Sequence, residues 1–94
     1  MQFDFDINKS HKNHDKHGIS FEDAQALWND NNGLIVPANI IDGEIRYALI
    51  SHLNDKCYVA IFTLRNEKYR IISVRRCRKN EEKNYENNLS SRIG

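Results

Sequence analysis

The sequence predicts an α+β fold: a small antiparallel sheet of about four to five strands, two N-terminal helices and one C-terminal helix. A short N-terminal segment alternates apolar and acidic residues, as a half-buried strand does. Helix-capping residues follow, with apolar residues at helical spacing. Strand-like apolar segments separated by short polar turns then fill most of the second half. At 94 residues, the chain is expected to form a single domain over residues 1–94.

The N-terminal elements are predicted from local signals. The alternating segment Phe3-Asp4-Phe5-Asp6-Ile7 predicts the first strand. The polar segment Asn8–His17 predicts a short helix that ends at Gly18, because glycine readily adopts the left-handed conformation after a helix. Ser20 can cap a second helix through its hydroxyl group. The core face of that helix is expected to consist of Phe21, Ala24, Leu27 and Trp28.

Four apolar segments predict the remaining strands, over residues 34–41, 44–52, 57–65 and 69–76. Pro37 has no backbone N–H to donate, so the first of these strands is expected at an edge of the sheet. The short polar turns between the segments predict an antiparallel meander. A polar, helix-permissive segment predicts the last helix over residues 78–89, and residues 90–94 are expected to fray.

Composition excludes several classes of protein. Hydrophobic residues make up 39% of the chain and the formal net charge is +1, as expected for a soluble globular protein. No apolar run reaches the roughly 20 residues that span a bilayer, and the acidic N-terminus lacks a signal-peptide pattern. We therefore expect a cytoplasmic protein with no membrane partner. In that compartment, Cys57 and Cys77 are expected to be reduced thiols.

Positive charge is concentrated in one hairpin. Between Arg65 and Lys79 there are seven Lys or Arg residues and a single acidic residue, Glu67. Residues 1–30, in contrast, contain three Lys and six Asp or Glu. A fixed cluster of guanidinium groups suits a phosphate-bearing ligand, above all a nucleic acid. An edge strand whose charges deter aggregation would have the same composition, so charge alone leaves both interpretations open.

Strand alternation predicts the face on which each arginine of this hairpin lies. Arg75 is expected on the same face as Ile71 and Ser73. Arg76 is expected on the opposite face with Arg70, Ile72 and Val74. One of these faces must pack against the helices, and an arginine at the end of the strand can then extend beyond the rim of the sheet.

A carboxylate is predicted close to these guanidinium groups. Glu44 and Arg46 are two residues apart on one strand, so they share a face. If that face also holds Arg65 or Arg75, the set can combine acid–base catalysis with stabilisation of a charged phosphate, without a metal. An ordinary cross-strand ion pair is the alternative.

The histidines and the last tyrosine are weaker candidates. His11, His14 and His17 recur every third residue and drift around the predicted helix, so we predict neither a metal site nor another cofactor. His17 precedes the helix end, where it can donate a proton, contact a phosphate, or simply balance the helix dipole. Tyr85 is expected to pack its ring on the sheet with its hydroxyl facing the site.

Together these residues resemble the BrnT toxins of type II toxin–antitoxin modules. The N-terminal half contains the pattern Asp6-x-x-Lys9-x-x-x-Asn13-x-x-Lys16-His17-Gly18-x-Ser20-Phe21-Glu22-x-Ala24. The second half contains Gly43-Glu44-x-Arg46, Thr63-x-Arg65, Arg70-Ile71-Ile72-Ser73-x-Arg75-Arg76 and Glu81-x-x-x-Tyr85. The order and spacing of these motifs cover nearly the whole chain.

The resemblance implies a RelE-like fold and a metal-independent endoribonuclease that inhibits translation by cleaving RNA. It also implies a BrnA-type ribbon-helix-helix antitoxin as partner, with operator DNA bound only through the antitoxin complex. Under this hypothesis the catalytic residues are His17, Glu44, Arg46, Arg65 and Arg75. The RNA-binding residues are Lys9, Lys16, Arg76 and Tyr85. The alternative is a non-catalytic module that binds nucleic acid or a protein through the basic hairpin at residues 65–79.

Overall fold

The computed structural model describes residues 2–93, with side chains described for residues 2–91. Its elements are, in chain order, strand β1 (Phe3–Asp4), helix α1 (Ile7–His17), helix α2 (Phe21–Ala24), a 3₁₀ helix (Gln25–Asn29), strands β2 (Leu34–Ile41), β3 (Glu44–Leu53), β4 (Lys56–Arg65) and β5 (Lys68–Arg76), and helix α3 (Lys79–Ile93). The predicted α+β class is confirmed. No helix in the described part of the chain is long and apolar enough to cross a membrane.

The five strands form one mixed sheet in the order β1-β5-β4-β3-β2. Strands β2 to β5 are the predicted antiparallel meander, and β2 lies at an edge as Pro37 requires. The expectation of a wholly antiparallel sheet is wrong, because β1 pairs in parallel with β5 through Phe3 opposite Tyr69 and Asp4 opposite Arg70. Alternation along a strand specifies its two faces, but it specifies neither its neighbour nor its direction.

The N-terminal helices begin and end at capping residues. The Asp6 carboxylate accepts hydrogen bonds from the backbone N–H groups of Asn8 (2.8 Å) and Lys9 (3.2 Å), so α1 begins at Ile7 and the strand before it is shorter than predicted. Gly18, with φ of 76°, ends α1 as expected. The Ser20 hydroxyl caps α2 as predicted, but α2 changes into the 3₁₀ helix after one turn.

Each face of the sheet carries its own apolar core. One face packs against α1, α2 and the 3₁₀ helix, with a core that includes Phe21, Leu27, Phe62, Ile71 and Val74. The other face packs beneath Tyr85 of α3, with Ala48, Ile50 and Val59. This second core lies at one end of the strands. Charged side chains occupy the other end of the same face, which we call the open end.

A bulge in β5 interrupts the predicted alternation. Ser73 pairs with Ile61 and Ile71 pairs with Phe62, which leaves Ile72 without a partner in the ladder. Ile71 and Val74 therefore both face the helical core. The prediction that Arg75 shares a face with Ile71 is wrong for this reason, since a single extra residue reverses the side-chain phase of the strand.

The cysteines differ from expectation as well. Cys57 and Cys77 form a disulfide with their Cα atoms 5.3 Å apart. The ladder between β4 and β5 extends one residue beyond β5, since the Cys77 N–H donates to the Cys57 carbonyl at 2.9 Å. This extension brings the two side chains together. The prediction of reduced thiols considered only the compartment, and the pairing geometry overrides it.

The C-terminal helix is longer than predicted. It extends from Lys79 to Ile93, so the expectation that the chain frays from Ser90 is wrong over residues 90–93. Gly94 lies outside the described residues. The Ser91 hydroxyl donates to the carbonyl of Asn87 at 3.0 Å, one turn earlier.

Candidate active site

Charged side chains from three adjacent strands meet at the open end of the sheet. Ala48 and Ile50 of β3 lie beneath α3, so alternation places Arg46 and Glu44 on that same face. Arg65 and Arg70 come from the ends of β4 and β5. The guanidinium-bearing residues line a cavity of about 120 Å³, the cationic cavity, whose walls are Asp6, Lys9, Arg46, Arg65, Arg70, Ile71 and Ile72.

The carboxylate of Glu44 is held by Arg65. The Arg65 guanidinium donates from Nε to Glu44 Oε2 at 3.0 Å and from Nη2 to Oε1 at 2.9 Å. Glu44 begins β3 and Arg65 ends β4, so these antiparallel neighbours bring the pair to one end of the hairpin. The hydrogen bonds from Arg65 lower the pKa of the Glu44 carboxyl, and the charges of Arg46 and Arg70 act in the same direction. Glu44 is therefore ionised at neutral pH.

The other two arginines of the cavity differ in how they are paired. The Arg70 Nη1 donates to Asp4 Oδ2 of β1 at 2.7 Å. Within the described residues, Arg46 forms no ion pair, and its buried Nε has no hydrogen-bond partner. Of the three guanidinium groups, that of Arg46 is thus the one least engaged by the protein.

A second basic cavity adjoins the first along α1. It has a volume of about 210 Å³, and its lining includes the side chains of Lys9, Lys12, Lys16 and His17. Lys9 and Ile72 line both cavities, so the two lie side by side. The structure therefore brings the predicted residues His17 and Lys16 together beside Lys9. It places them next to the cationic cavity rather than within it.

Arg75 lies at the covered end of the same sheet face. Its guanidinium donates to both carboxylate oxygens of Glu81, at 2.7 and 2.8 Å, and the backbone N–H of Arg78 also donates to Glu81 at 2.7 Å. These hydrogen bonds, led by the one from Arg75, lower the pKa of Glu81. Arg75 is about 15 Å along β5 from Arg70 by strand geometry, so it is not brought to the cationic cavity.

Arg76 and Tyr85 also lie away from the cavity. The Arg76 guanidinium packs on the ring of Tyr58 at 5.6 Å, and its Nε donates to the Cys57 carbonyl at 3.3 Å. The Tyr85 ring packs on the sheet as predicted, stacked on His52 with ring centroids 4.2 Å apart. Its hydroxyl donates to Asp30 at 2.7 Å instead of facing the cavity.

Tyr85 and Asp30 perturb each other's pKa. Burial raises the pKa of Tyr85 to about 12, and the hydrogen bond to the Asp30 carboxylate contributes in the same direction. Burial acts to raise the pKa of Asp30, but hydrogen bonds from Tyr85, Asn32, His52 and Ser51 outweigh it, and the pKa is lowered. The pair anchors α3 to the chain that follows the 3₁₀ helix.

Sequence reasoning missed three charged residues that line the basic cavities. Arg70 was missed because the bulge hides which face it occupies, and Lys12 because α1 has no apolar stripe that fixes its orientation. Asp6 had a usable signal, since an aspartate before a polar helical segment is a good N-cap. In the described part of the chain, no group of three or more His, Cys, Asp or Glu residues is placed to hold a metal ion.

Comparison with known proteins identifies the family. No curated protein sequence matches the chain significantly. A family model described as "Ribonuclease toxin, BrnT, of type II toxin-antitoxin system" matches residues 5–81. The matched segment contains every residue that lines the cationic cavity and the adjoining basic cavity. The resemblance inferred from the motifs is therefore confirmed, and the chain belongs to the BrnT family of ribonuclease toxins.

Proposed function

We propose that this protein is the toxin of a type II module and acts as a metal-independent endoribonuclease that inhibits translation by cleaving RNA. The observation that carries the proposal is the convergence of Arg46, Arg65 and Arg70 around Glu44 at the open end of the sheet. Fixed guanidinium groups can neutralise phosphate charge in the role that a cation would otherwise fill. Residues 1–94 would form one RelE-like domain, in the cytoplasm and with no membrane partner.

The proposed reaction is attack of an RNA 2′-hydroxyl on its adjacent phosphate. A bond forms between O2′ and phosphorus, the bond from phosphorus to O5′ breaks, and a proton moves from O2′ to an acceptor while O5′ takes one up. The site must therefore supply a proton acceptor, a proton donor and positive charge for the phosphorane. The products are a 2′,3′-cyclic phosphate and a 5′-hydroxyl.

We assign these roles to residues of the two adjoining cavities. Arg65 and Arg46 would hold the scissile phosphate, and Glu44 would accept the 2′-hydroxyl proton, because its lowered pKa keeps it ionised at neutral pH. Arg46 would also orient Glu44 through its charge. His17 is the candidate proton donor, since a histidine can donate a proton and its cavity adjoins the first.

The remaining predicted residues would act on the flanking RNA. Lys9 and Lys16 would hold the backbone along α1, where both line the basic cavity that adjoins the cationic cavity. At the covered end, Arg75 and Tyr85 would hold α3 in position through Glu81 and Asp30. Arg76, on the opposite face beside Tyr58, would contact a longer RNA strand. A BrnA-type ribbon-helix-helix antitoxin would neutralise the toxin, and operator DNA would be bound only through that complex.

A non-catalytic RNA-binding module is the second candidate. The lysine side chains exposed along α1 favour it, because such a row binds a phosphate backbone without any chemistry. It predicts salt-sensitive RNA binding with no cleavage product. Cleavage in the presence of a chelator would exclude it and would support metal independence at the same time.

The proposal is tested by induced expression in bacteria together with RNA cleavage by the purified protein. The test variant carries Arg46→Ala and Arg65→Ala, and the control carries Arg78→Ala and Lys83→Ala, which remove the same charge from exposed positions outside both cavities. We expect growth arrest and cleavage with the wild type and the control, and neither with the test variant. Arrest by a folded test variant would refute this site.

A further inference from the structure

Three arginine–carboxylate pairs occupy one face of the sheet, and they are not equivalent. Glu81 binds Arg75 and also accepts the backbone N–H of Arg78, so it fixes the start of α3. In the described part of the chain, Glu44 accepts hydrogen bonds from Arg65 alone. The Glu44 carboxylate, unlike that of Glu81, therefore holds no other element of the fold in place.

The Glu44 carboxylate occupies the position that a phosphate would take on Arg65. A guanidinium presents the same two parallel N–H groups to a carboxylate and to a phosphate, so the two ligands compete for Nε and Nη2. We propose that the Glu44–Arg65 pair is a substrate-operated latch, in which an RNA phosphate displaces Glu44 from Arg65 and so releases the catalytic carboxylate. This inference rests on the proposed ribonuclease function and extends it to the control of that site.

The surroundings of the pair favour such an exchange. The side chains of Arg65 and Glu44 are 48% and 29% exposed, so an incoming phosphate reaches them from solvent and the pair itself contributes little stability. Arg46 stands two residues from Glu44 on the same face without an ion pair in residues 2–91, so it can attract the phosphate before Arg65 is free.

Glu44 directly follows a tight turn, whereas Glu81 lies within a helix. Asp42 and Gly43 form the turn that precedes β3, with φ of 50° and 77°, and Glu44 is the first residue of the strand. The strand therefore continues on only one side of Glu44, and its neighbour toward the N-terminus is a glycine without a side chain. Glu81, in contrast, lies inside the first turn of α3, where the Arg78 N–H fixes its rotamer.

The latch couples binding to the proton transfer. While Arg65 donates to both oxygens of Glu44, the carboxylate is a weak base. When the phosphate takes over these donors, the freed carboxylate becomes more basic and can accept the O2′ proton as O2′ bonds to phosphorus. The bond to O5′ then breaks, and O5′ takes up a proton from His17, the proposed donor. An empty site is thereby kept from acting as a base before RNA is present.

The test compares Glu44→Gln with Glu81→Gln, because both variants remove one negative charge from the same sheet face. The probe is a short RNA with a 2′-O-methyl group at the cleavage position, which binds but cannot react. If Glu44 competes with phosphate, Glu44→Gln binds the probe several-fold more tightly than wild type and no longer cleaves ordinary RNA. Glu81→Gln gains no such affinity. Thermal unfolding verifies that both variants are folded, and Glu44→Ala repeats the measurement without an amide that could still bind Arg65.

The outcomes separate the latch from the ribonuclease proposal. Equal affinities of the Glu44→Gln and Glu81→Gln variants would refute the latch, even if the wild type cleaves RNA. An affinity gain confined to Glu44→Gln, in a protein that never cleaves, would refute the ribonuclease proposal and retain the competition between carboxylate and phosphate. Failure of every variant to bind the probe would refute both. In the wild type, the acid limb of kcat against pH is expected at higher pH than that of kcat/KM, because bound RNA raises the pKa of Glu44.

Discussion

Arg70 and Arg75 lie on the same face of β5 although they are five positions apart, an odd spacing that would place them on opposite faces of a regular strand. The unpaired Ile72 between them is the cause. Arg70 can therefore line the cationic cavity, while Arg75 binds Glu81 beneath α3, and Ile71 and Val74 still fill the core on the other face. One bulge thus places an arginine on the same face at both ends of the strand.

Deleting Ile72 is expected to abolish the fold. Regular alternation would restore the ladder but force either Ile71 or Val74, both buried, onto the charged face. Loss of one large buried side chain from the core costs about 2–5 kcal/mol, a large part of the stability of a small domain. Circular dichroism and thermal unfolding measure the effect. Ile72→Ala is the control, and a deletion variant as stable as that control would contradict the role of the bulge.

Arg65 and Arg75 are expected to fail in different ways when replaced by alanine. Arg65→Ala removes a proposed phosphate ligand, so cleavage should fall by about 10²- to 10³-fold while the thermal midpoint changes little. Arg75→Ala leaves Glu81 without its bidentate partner, so it should weaken the packing of α3. The rate of the chemical step should change less. Single-turnover cleavage and urea unfolding distinguish the two. A fully active Arg65→Ala variant would contradict this division.

Stability is expected to fall at high pH through Tyr85. Its pKa is raised to about 12 in the folded protein, above its value of about 10 in the unfolded chain. Because the pKa is raised on folding, neutral Tyr85 stabilises the folded protein fully below a pH of about 10, and this stabilisation is lost as the pH rises through about 12. Absorbance titration of the four tyrosines should therefore show one late ionisation. Tyr85→Phe should remove it and cost about 2 kcal/mol, since Asp30 loses a donor.

Reduction of the disulfide is expected to destabilise the protein without removing the site. Cys57 and Cys77 are 20 residues apart in sequence, and cross-linking a loop of that length contributes about 3 kcal/mol by restricting the unfolded chain. The urea midpoint should fall when a reductant is added. A variant with serine at both positions should have the lower midpoint under all conditions, and an unchanged wild-type midpoint in reductant would contradict the prediction.

Local signals predicted much of this fold. Gly18 and Ser20 gave a helix end and a helix start, and Pro37 gave an edge strand, because each acts through its own backbone or side chain. The pairing of β1 with β5 and the disulfide depend on residues more than 60 and 20 positions apart, about which local patterns carry no information.

The candidate site was likewise predictable where it depends on local strand pairing and not where it depends on distant elements. The meeting of Glu44 with Arg65 follows from a hairpin whose strands were predicted correctly, and the sequence left open whether it is catalytic or an ordinary ion pair. Arg75 was expected beside them, but α3 provides its carboxylate partner at the far end of the strand. Arg70 could be placed only after the bulge was known.

The two ends of the same strands therefore differ in what a substitution there would change. The covered end, with Tyr85 and the disulfide, carries the contacts that keep α3 in place. The open end exposes Arg65 and Glu44 to solvent, where side chains can be exchanged without disturbing an apolar core. A substitution at the open end is consequently expected to change reactivity while leaving the folding determinants intact, because mutation at one end is largely additive with mutation at the other.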